Sequence, residues 1–455
     1  MSRRFLNSAI LGLTLSFSPL LASAETLTSA LTAAYNNSNL LEQSRALLRA
    51  QDEGVAIALS ALRPQVNGSA SLTQNHTSSV GDTLTATVGL TAEVLLWDAG
   101  RSKLSVESAK EAVLAVRSQL VQQEQAVLLQ AVNAYVQVLR DQRVLEVRQS
   151  NLRLITQELR AARDRFEVGE VTRTDVAQAE ARLAFGRGEL ADAQGQLEIT
   201  RELYKIAVGR TPSKLESISD LPRLPANLVA AKTTARQMSP EIEQIQHEIK
   251  ANELSYASTK ARTRPSLSAT SGVSHSDFGG TSDSASIGLS LNVPIYQGGQ
   301  LSALVRQALA QVHASKAQLN QQVLSVEQGV GNSWAQLAVA RAQVASTERQ
   351  ISAAQTAFDG VREEAKLGAR TTLDALDAEQ DLSDARTNFV VAQTQVYSAA
   401  YSVLASMGLL TADNLKLNVE RYDPSDYYKA ASGAPVPTSK AGKKLDRILQ
   451  RYQKN

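Results

Sequence analysis

The sequence predicts a mixed fold: four β-strands per chain contributing to a membrane β-barrel, with long antiparallel α-helical coiled coils beside it. Three observations carry this. The chain is written twice, each copy holds two strand-length runs of alternating apolar and polar residues, and each copy continues into a very long proline-free, heptad-patterned stretch.

The repeat comes first. Val168-Gly169-Glu170-Val171-Thr172-Arg173-Thr174-Asp175 lines up with Leu367-Gly368-Ala369-Arg370-Thr371-Thr372-Leu373-Asp374. At the same offset Ala179-Glu180 matches Ala378-Glu379, Gly209 matches Gly408, and Leu96-Trp97-Asp98-Ala99-Gly100 matches Ile295-Tyr296-Gln297-Gly298-Gly299. Half one therefore spans 25–209 and half two 228–409, joined by a linker at 210–227 marked by Pro212, Pro222 and Pro225 and followed by a polar tail at 410–455.

Residues 1–24 read as a secretory signal peptide. Arg3 and Arg4 supply the positive start, Phe5 to Leu21 is mostly apolar, and Ala22-Ser23-Ala24 is the small-residue cleavage pattern. The arginine pair invites a twin-arginine reading, but Phe5 follows at once and there is no cofactor motif, which favours ordinary secretion. With Lys+Arg at 47 against Asp+Glu at 45, removing the two leader arginines leaves a balanced chain. That speaks against nucleic acid as a partner, because such proteins carry clustered positive charge. The sequence has no cysteine, hence no disulfide scaffold and no thiol for an N-terminal lipid. Beyond Ala24 no apolar run reaches the roughly 18 residues of a membrane helix. A chain of this kind crosses a membrane only as a closed barrel, the architecture of bacterial outer membranes.

Each half opens with helical patterning (27–62 in half one) and then alternates. Leu84, Ala86, Val88, Leu90, Ala92, Val94 and Leu96 are interleaved with Thr85, Thr87, Gly89, Thr91 and Glu93. In half two Ala285, Ile287, Leu289, Leu291, Val293 and Ile295 do the same. Preceding runs at 66–73 and 267–273 complete hairpins over 66–97 and 267–296, with polar loops near His76–Asp82 and His275–Asp283. Runs of about ten residues suit tilted strands crossing a bilayer.

The stretch 101–166 is long enough for one helix of ~100 Å at about 1.5 Å per residue. Its seam reads Val113, Leu120, Val127, Ala134, then Leu145, Leu152, Leu159, Phe166. In half two the seam is Val312, Leu319, Val326, Ser333, then Val344, Ile351, Phe358, Ala365. The jump between ladders in both halves relaxes the supercoil locally. Helical hairpins are expected over 101–209 and 300–409, with 27–62 and 173–209 stacked in series along the long helix.

Four strands do not close a barrel, since closed ones start at about eight. Two chains would give eight strands with a filled interior, whereas three would give twelve with room for a lumen. The doubled hairpin, the two Gly-x-x-Thr turns and the Leu373–Ala378 run Leu-Asp-Ala-Leu-Asp-Ala resemble the TolC family of outer-membrane channel-tunnels over nearly the whole of 25–410. The tail around Tyr422-Asp423-Pro424 and Tyr427-Tyr428 is similar to members serving type I secretion. The resemblance implies a homotrimer with a twelve-stranded barrel embedded in outer-membrane lipid and a periplasmic helical tunnel. It further implies docking to a periplasmic adaptor and an inner-membrane transporter, in efflux or type I secretion.

Several residues follow as candidates. Val168, Gly169, Leu367 and Gly368 sit at helix-ending turns, where glycine permits the positive φ of a C-cap; the resemblance adds adaptor docking at this periplasmic tip. Thr172-x-x-Asp175 and Thr371-x-x-Asp374 fit capping boxes. Asp374, Asp377, Asp381 and Asp384 fall on one helix face, either a solvated face or a carboxylate ring favouring cations in a pore. The family's constriction maps to Asp374 and Asp377, and its closed-state lock to Arg370 with Asp175. A tyrosine supporting that lock in the family falls at Ala365.

No catalytic, metal or cofactor site is expected. His76, His247, His275 and His313 are scattered, His247-Glu248 lacks a second histidine four residues on, and neither a Gly-x-Ser-x-Gly elbow nor a phosphate loop occurs. The alternatives are a periplasmic adaptor, disfavoured by the tandem copy and four amphipathic strands, and a purely structural envelope coiled coil.

Overall fold

Two copies of a helix–helix–strand–strand–helix–helix unit follow one another in the computed structural model, which describes residues 25–77, 81–218, 220–277, 281–434 and 436–452. The expected signal peptide at 1–24 lies outside the described residues. Half one contains α1 (Leu27–Asn37), α2 (Asn39–Ser60), β1 (Gln65–Thr77), β2 (Gly81–Trp97), α3 (Arg101–Glu167) and α4 (Arg173–Val208). Half two contains α5 (Leu228–Met238), α6 (Pro240–Ala261), β3 (Ser266–Asp277), β4 (Thr281–Asn292), α7 (Gln300–Lys366) and α8 (Thr372–Ser406), and α9 (Pro424–Ser432) and α10 (Lys440–Tyr452) follow.

The strands form one antiparallel sheet in the order β1-β2-β3-β4, so the two hairpins join at β2–β3. Register decides which face is apolar, because residues directly opposite share a face. Leu90 lies opposite Gly68 and Val273, Val88 opposite Ala70, Leu289 opposite Ala269, and Leu291 opposite Leu267. The apolar sets of all four strands therefore merge into one exposed sheet face, on which Leu289 is 73% and Ile287 89% exposed. Thr85, Thr87, Thr91, Thr270, Gly272, Ser286 and Ser290 occupy the other face. The last strand is shorter than the alternation suggests, ending at Asn292 rather than running through Ile295. Pro294 lacks the N–H that a ladder needs.

The long helices α3 and α7 are each 67 residues, about 100 Å. Against each lie its two flanking helices in series, as the lengths suggested. The 27–62 stretch is not one helix, however. Ser38 adopts extended φ/ψ and its Oγ accepts from Leu41 N at 3.2 Å, capping α2. Ser239-Pro240 makes the same break in half two. Both breaks sit where the returning helix ends: Asn37 Nδ2 donates to Val208 O at 3.2 Å, and Gly408 lies against Met238 and Ser239.

The main core lies at mid-length of the long helices, where Leu128, Val132, Tyr135, Tyr204, Met407 and Leu410 are fully buried. The linker folds onto it: Tyr135 Oη donates to Glu25 O at 2.8 Å and to Glu216 O at 2.6 Å. The predicted seam holds through Leu159, but Phe166 is 45% exposed. A straight helix drifts off a strict heptad, and the buried line near this end runs Asn151, Ile155, Leu159, Ala162 instead. Residues 410–455 are more than a polar tail. Leu410, Ala412, Leu417 and Tyr427 are buried, and α9 packs along α2.

Candidate functional site

The ends of the long helices far from the sheet carry the predicted site residues. At the half-one tip Val168 caps α3, and Gly169 follows at φ +80. Glu170 N donates to Arg165 O at 2.9 Å, a bond that reaches back over the last turn. Leu367 and Gly368, the latter at φ +78, repeat this with Ala369 N donating to Glu364 O at 2.9 Å. Val168 is 71% and Leu367 85% exposed, so each turn presents an aliphatic side chain to its surroundings.

The next helices start with reciprocal caps. Asp175 Oδ2 accepts from Thr172 N at 2.8 Å and Thr172 Oγ1 at 2.7 Å, and Asp374 Oδ2 accepts from Thr371 N at 3.0 Å and Thr371 Oγ1 at 2.9 Å. Hydrogen bonds from the threonine hydroxyl and backbone hold the Asp175 carboxyl below the usual range; those from the Thr371 backbone and hydroxyl do the same for Asp374. Both stay ionised at neutral pH.

The four acids of α8 do not share one environment. Asp374 belongs to its cap. Asp377 pairs with Arg182 of α4. Asp381 is exposed and makes no ion pair among the described residues. Asp384 pairs with Arg148 of α3 at 3.2 Å. Arg370 reaches Glu364 at 3.0 Å, within its own half, so within one chain Arg370 and Asp175 have other partners.

What holds the half-two tip helix to half one is a polar set that sequence reasoning missed. Arg148 also pairs with Glu189 of α4 at 3.2 Å and donates to Ser383 Oγ at 3.1 Å. Asn151 Nδ2 donates to Glu379 Oε1 at 2.6 Å in the α3–α8 interface, where both are buried. Apolar support is thin, limited to a small cluster of Leu159, Ala162, Ala179 and Leu376. The repeat itself held a clue: Glu379 aligns with Glu180, yet Glu180 is exposed and pairs with Arg163 at 2.6 Å.

Burial pushes the Glu379 carboxyl up to about 7, against the lowering effects of Asn151, Arg182 and Arg386, while Glu158 adds to the rise. Its Oε2 has no hydrogen-bond partner. An acid whose folded pKa is raised favours the folded state at low pH, and that advantage is lost as pH climbs from the unfolded value toward 7. At about 1.4 kcal/mol per pKa unit the ionised carboxylate costs on the order of 3 kcal/mol. Glu379→Gln is therefore expected to raise the thermal stability of the purified protein at pH 8 and to leave it nearly unchanged at pH 5. A gain of equal size at both pH values would contradict the buried acid.

Among the described residues no group of three or more His, Cys, Asp or Glu side chains is placed to hold a metal ion, and no helix is long and apolar enough to cross a membrane. Three of the four histidines pair with acids instead: His76 with Asp82, His275 with Asp283 across the equivalent hairpin, and His247 with Glu111, while His313 is exposed.

The sequence model of the family described as outer membrane efflux protein matches residues 30–208 and 233–409. Outer membrane efflux protein BepC of Brucella suis biovar 1 is 38% identical, over 90% of this chain and 91% of its own length. Outer membrane protein TolC of Escherichia coli is 25% identical over 69% of this chain and 71% of its own. Among solved structures the CusC channel superposes with a TM-score of 0.76 at 19% identity, covering 85% of this chain and 92% of that one. A four-stranded amphipathic sheet carried on paired 67-residue helices, matched in this way along both halves, is an outer-membrane exit duct and not an enzyme: the chain belongs to the outer membrane efflux protein family.

Proposed function

We propose that three copies assemble into a twelve-stranded barrel above a helical tunnel, and that this trimer receives cargo from an inner-membrane transporter through a periplasmic adaptor. The sheet carries the proposal. It is apolar over one face and polar over the other, and β1 and β4 are its edges. Open edges seek partners, and a membrane leaves no water to satisfy them. Joining β4 of one copy to β1 of the next around a threefold axis removes every edge, turns the Thr/Ser/Gly face to a lumen and turns Leu90 and Leu289 to lipid. In a chain with no native cysteine, Asn67→Cys in β1 and Ser290→Cys in β4 can be combined and cross-linked with a short bifunctional reagent. The expected covalent ladder ends at three; one ending at two would contradict the trimer.

The tips are the proposed adaptor contact. Their exposed Val168 and Leu367 stand on glycine turns with nothing within 4 Å of a built Cβ at Gly169 or Gly368, so the surface is open to a partner. Gly169→Glu and Gly368→Glu are expected to abolish export while trimers still reach the outer membrane. Normal export from both would remove the tips from docking.

The same tips form the gate. Arg370 with Asp175 and the acids Asp374, Asp377, Asp381 and Asp384 supply a lock and a carboxylate ring, and the Arg182–Asp377 and Arg148–Asp384 pairs tie α8 to half one. A single exposed pair contributes about 0–1 kcal/mol, but a threefold assembly breaks three at once. Arg182→Ser both frees α8 and unmasks the Asp377 charge, so it is expected to raise single-channel conductance and cation selectivity together. Unchanged selectivity would mean that Asp377 faces away from the pore.

A further inference from the structure

The last described helix has no part in the sheet or the coils. In α10 the residues Lys440, Lys443, Lys444, Arg447 and Arg451 recur at spacings of three and four, which puts them on one face. Lys440, Lys443, Lys444 and Arg447 are exposed, and Asp446 is the helix's single acid. Like charges at these spacings repel and weaken an isolated helix, so such a face calls for an anionic counter-surface. The opposite face, with Leu445, Ile448 and Leu449, is half-buried.

The path of the tail says where that face is held. From residue 422 onward the chain climbs α2 toward the sheet. The Arg45 guanidinium lies 5.6 Å from the Tyr422 ring, Tyr427 Oη donates to Glu53 Oε1 at 2.8 Å, and Arg63 Nη2 donates to Ser432 O at 3.0 Å. Arg117 adds a contact 5.7 Å over the Tyr428 ring. Arg63 stands two residues before Gln65, the first residue of β1, so the end of α9 is fixed at the periplasmic rim of the barrel. Exposed Trp97 and Tyr296 occupy equivalent repeat positions at that rim, as aromatic side chains do at membrane–water boundaries. The connection 433–439 reaches at most about 25 Å when fully extended and α10 packs on α9, so α10 is kept within that reach of the rim.

We propose that α10 docks its basic face on anionic phospholipid headgroups of the periplasmic leaflet, strapping the C-terminal segment of each subunit to the membrane around the barrel. Clustered basic side chains bind such surfaces through charge alone, at about 1 kcal/mol per Lys or Arg near the surface. The proposal rests on the barrel reading, and its test separates the two. With no native cysteine, Gln450→Cys gives the full chain a single labelling site on the polar side of α10 without removing a positive charge. The labelled protein is incorporated into nanodiscs of phosphatidylcholine with or without one third phosphatidylglycerol, each containing headgroup spin-labelled lipid. Quenching is expected to be at least twofold stronger in the anionic discs. It is expected to fall to the phosphatidylcholine level in 1 M salt, where the screening length is about 3 Å, and in the triple variant Lys443→Glu, Lys444→Glu, Arg447→Glu. Incorporation with equal quenching in both lipids, or quenching indifferent to charge reversal, overturns the proposal. Incorporation with no quenching in either lipid also overturns it. Failure of the protein to enter discs at all would instead strike the barrel reading.

Discussion

Gly408→Ala is expected to lower stability by about 2–5 kcal/mol and to deplete assembled protein from the outer membrane. Gly408 ends α8 at φ +78, which costs an L side chain about 1–2 kcal/mol. A Cβ there would also lie 2.3 Å from Met238 O and 2.8 Å from Met238 C. Those are backbone atoms at the α5–α6 break, so the clash is relieved only by parting two helix ends; overpacking of this kind adds about 1–3 kcal/mol. Gly368→Ala is the matched control. It shares φ +78 but meets nothing within 4 Å, so only the conformational cost of about 1–2 kcal/mol remains. Thermal unfolding of the two purified variants measures the difference. Equal losses would mean that the joint between α8 and α5 is not the close contact described.

The second large effect concerns the sheet. Leu289→Arg places a charge on the exposed apolar face, opposite Ala269 of β3, and is expected to cost about 2–4 kcal/mol if the residue lies near the bilayer midplane. Leu90→Arg, opposite Val273, should behave alike. Ser290→Arg, one residue along and on the polar face, is expected to assemble normally, because period two sends neighbouring side chains to opposite faces. Outer-membrane yields of heat-resistant assemblies report all three. Equal tolerance of arginine at 289 and 290 would invalidate the two-faced reading.

The contrast between residues 289 and 290 also indicates what the sequence can reveal. Alternation is a local property, so the strands and their apolar face were legible. The strands nevertheless run three or four residues further toward the hairpin ends than the alternation, and His76 pairs with Asp82 and His275 with Asp283 where loops are expected; Pro294 ended β4 early. The heptad ladders likewise announced α3 and α7 at nearly full length. The break at Ser38 was only partly legible. Asn36-Asn37-Ser38-Asn39 is a cluster of cap-type residues, but the break also depends on α4 ending against Asn37, a contact between distant parts of the chain. The tips divide in the same way. Their turns and capping boxes are local and were read from Gly169, Gly368, Thr172 and Thr371. The pairing of Arg182 with Asp377 and of Asn151 with Glu379 arises where one half meets the other. Because the two halves are similar in sequence but not in partners, Glu180 and Glu379 read alike and yet one is solvated and the other buried. Phe166 was misplaced for a third reason: the seam rotates slowly around a helix this long, so an extrapolated ladder fails at its far end.

The measurement that bears most directly on the molecule as an outer-membrane duct is single-channel recording of the purified full-length protein in planar lipid bilayers. Stepwise insertions are expected, each giving a small cation-favouring conductance while the tips are closed. Arg182→Ser is expected to enlarge that conductance without changing the number of insertions. Trimeric protein that enters the bilayer and passes no current, in the wild type and in Arg182→Ser alike, would contradict an open lumen and leave only a structural coiled coil.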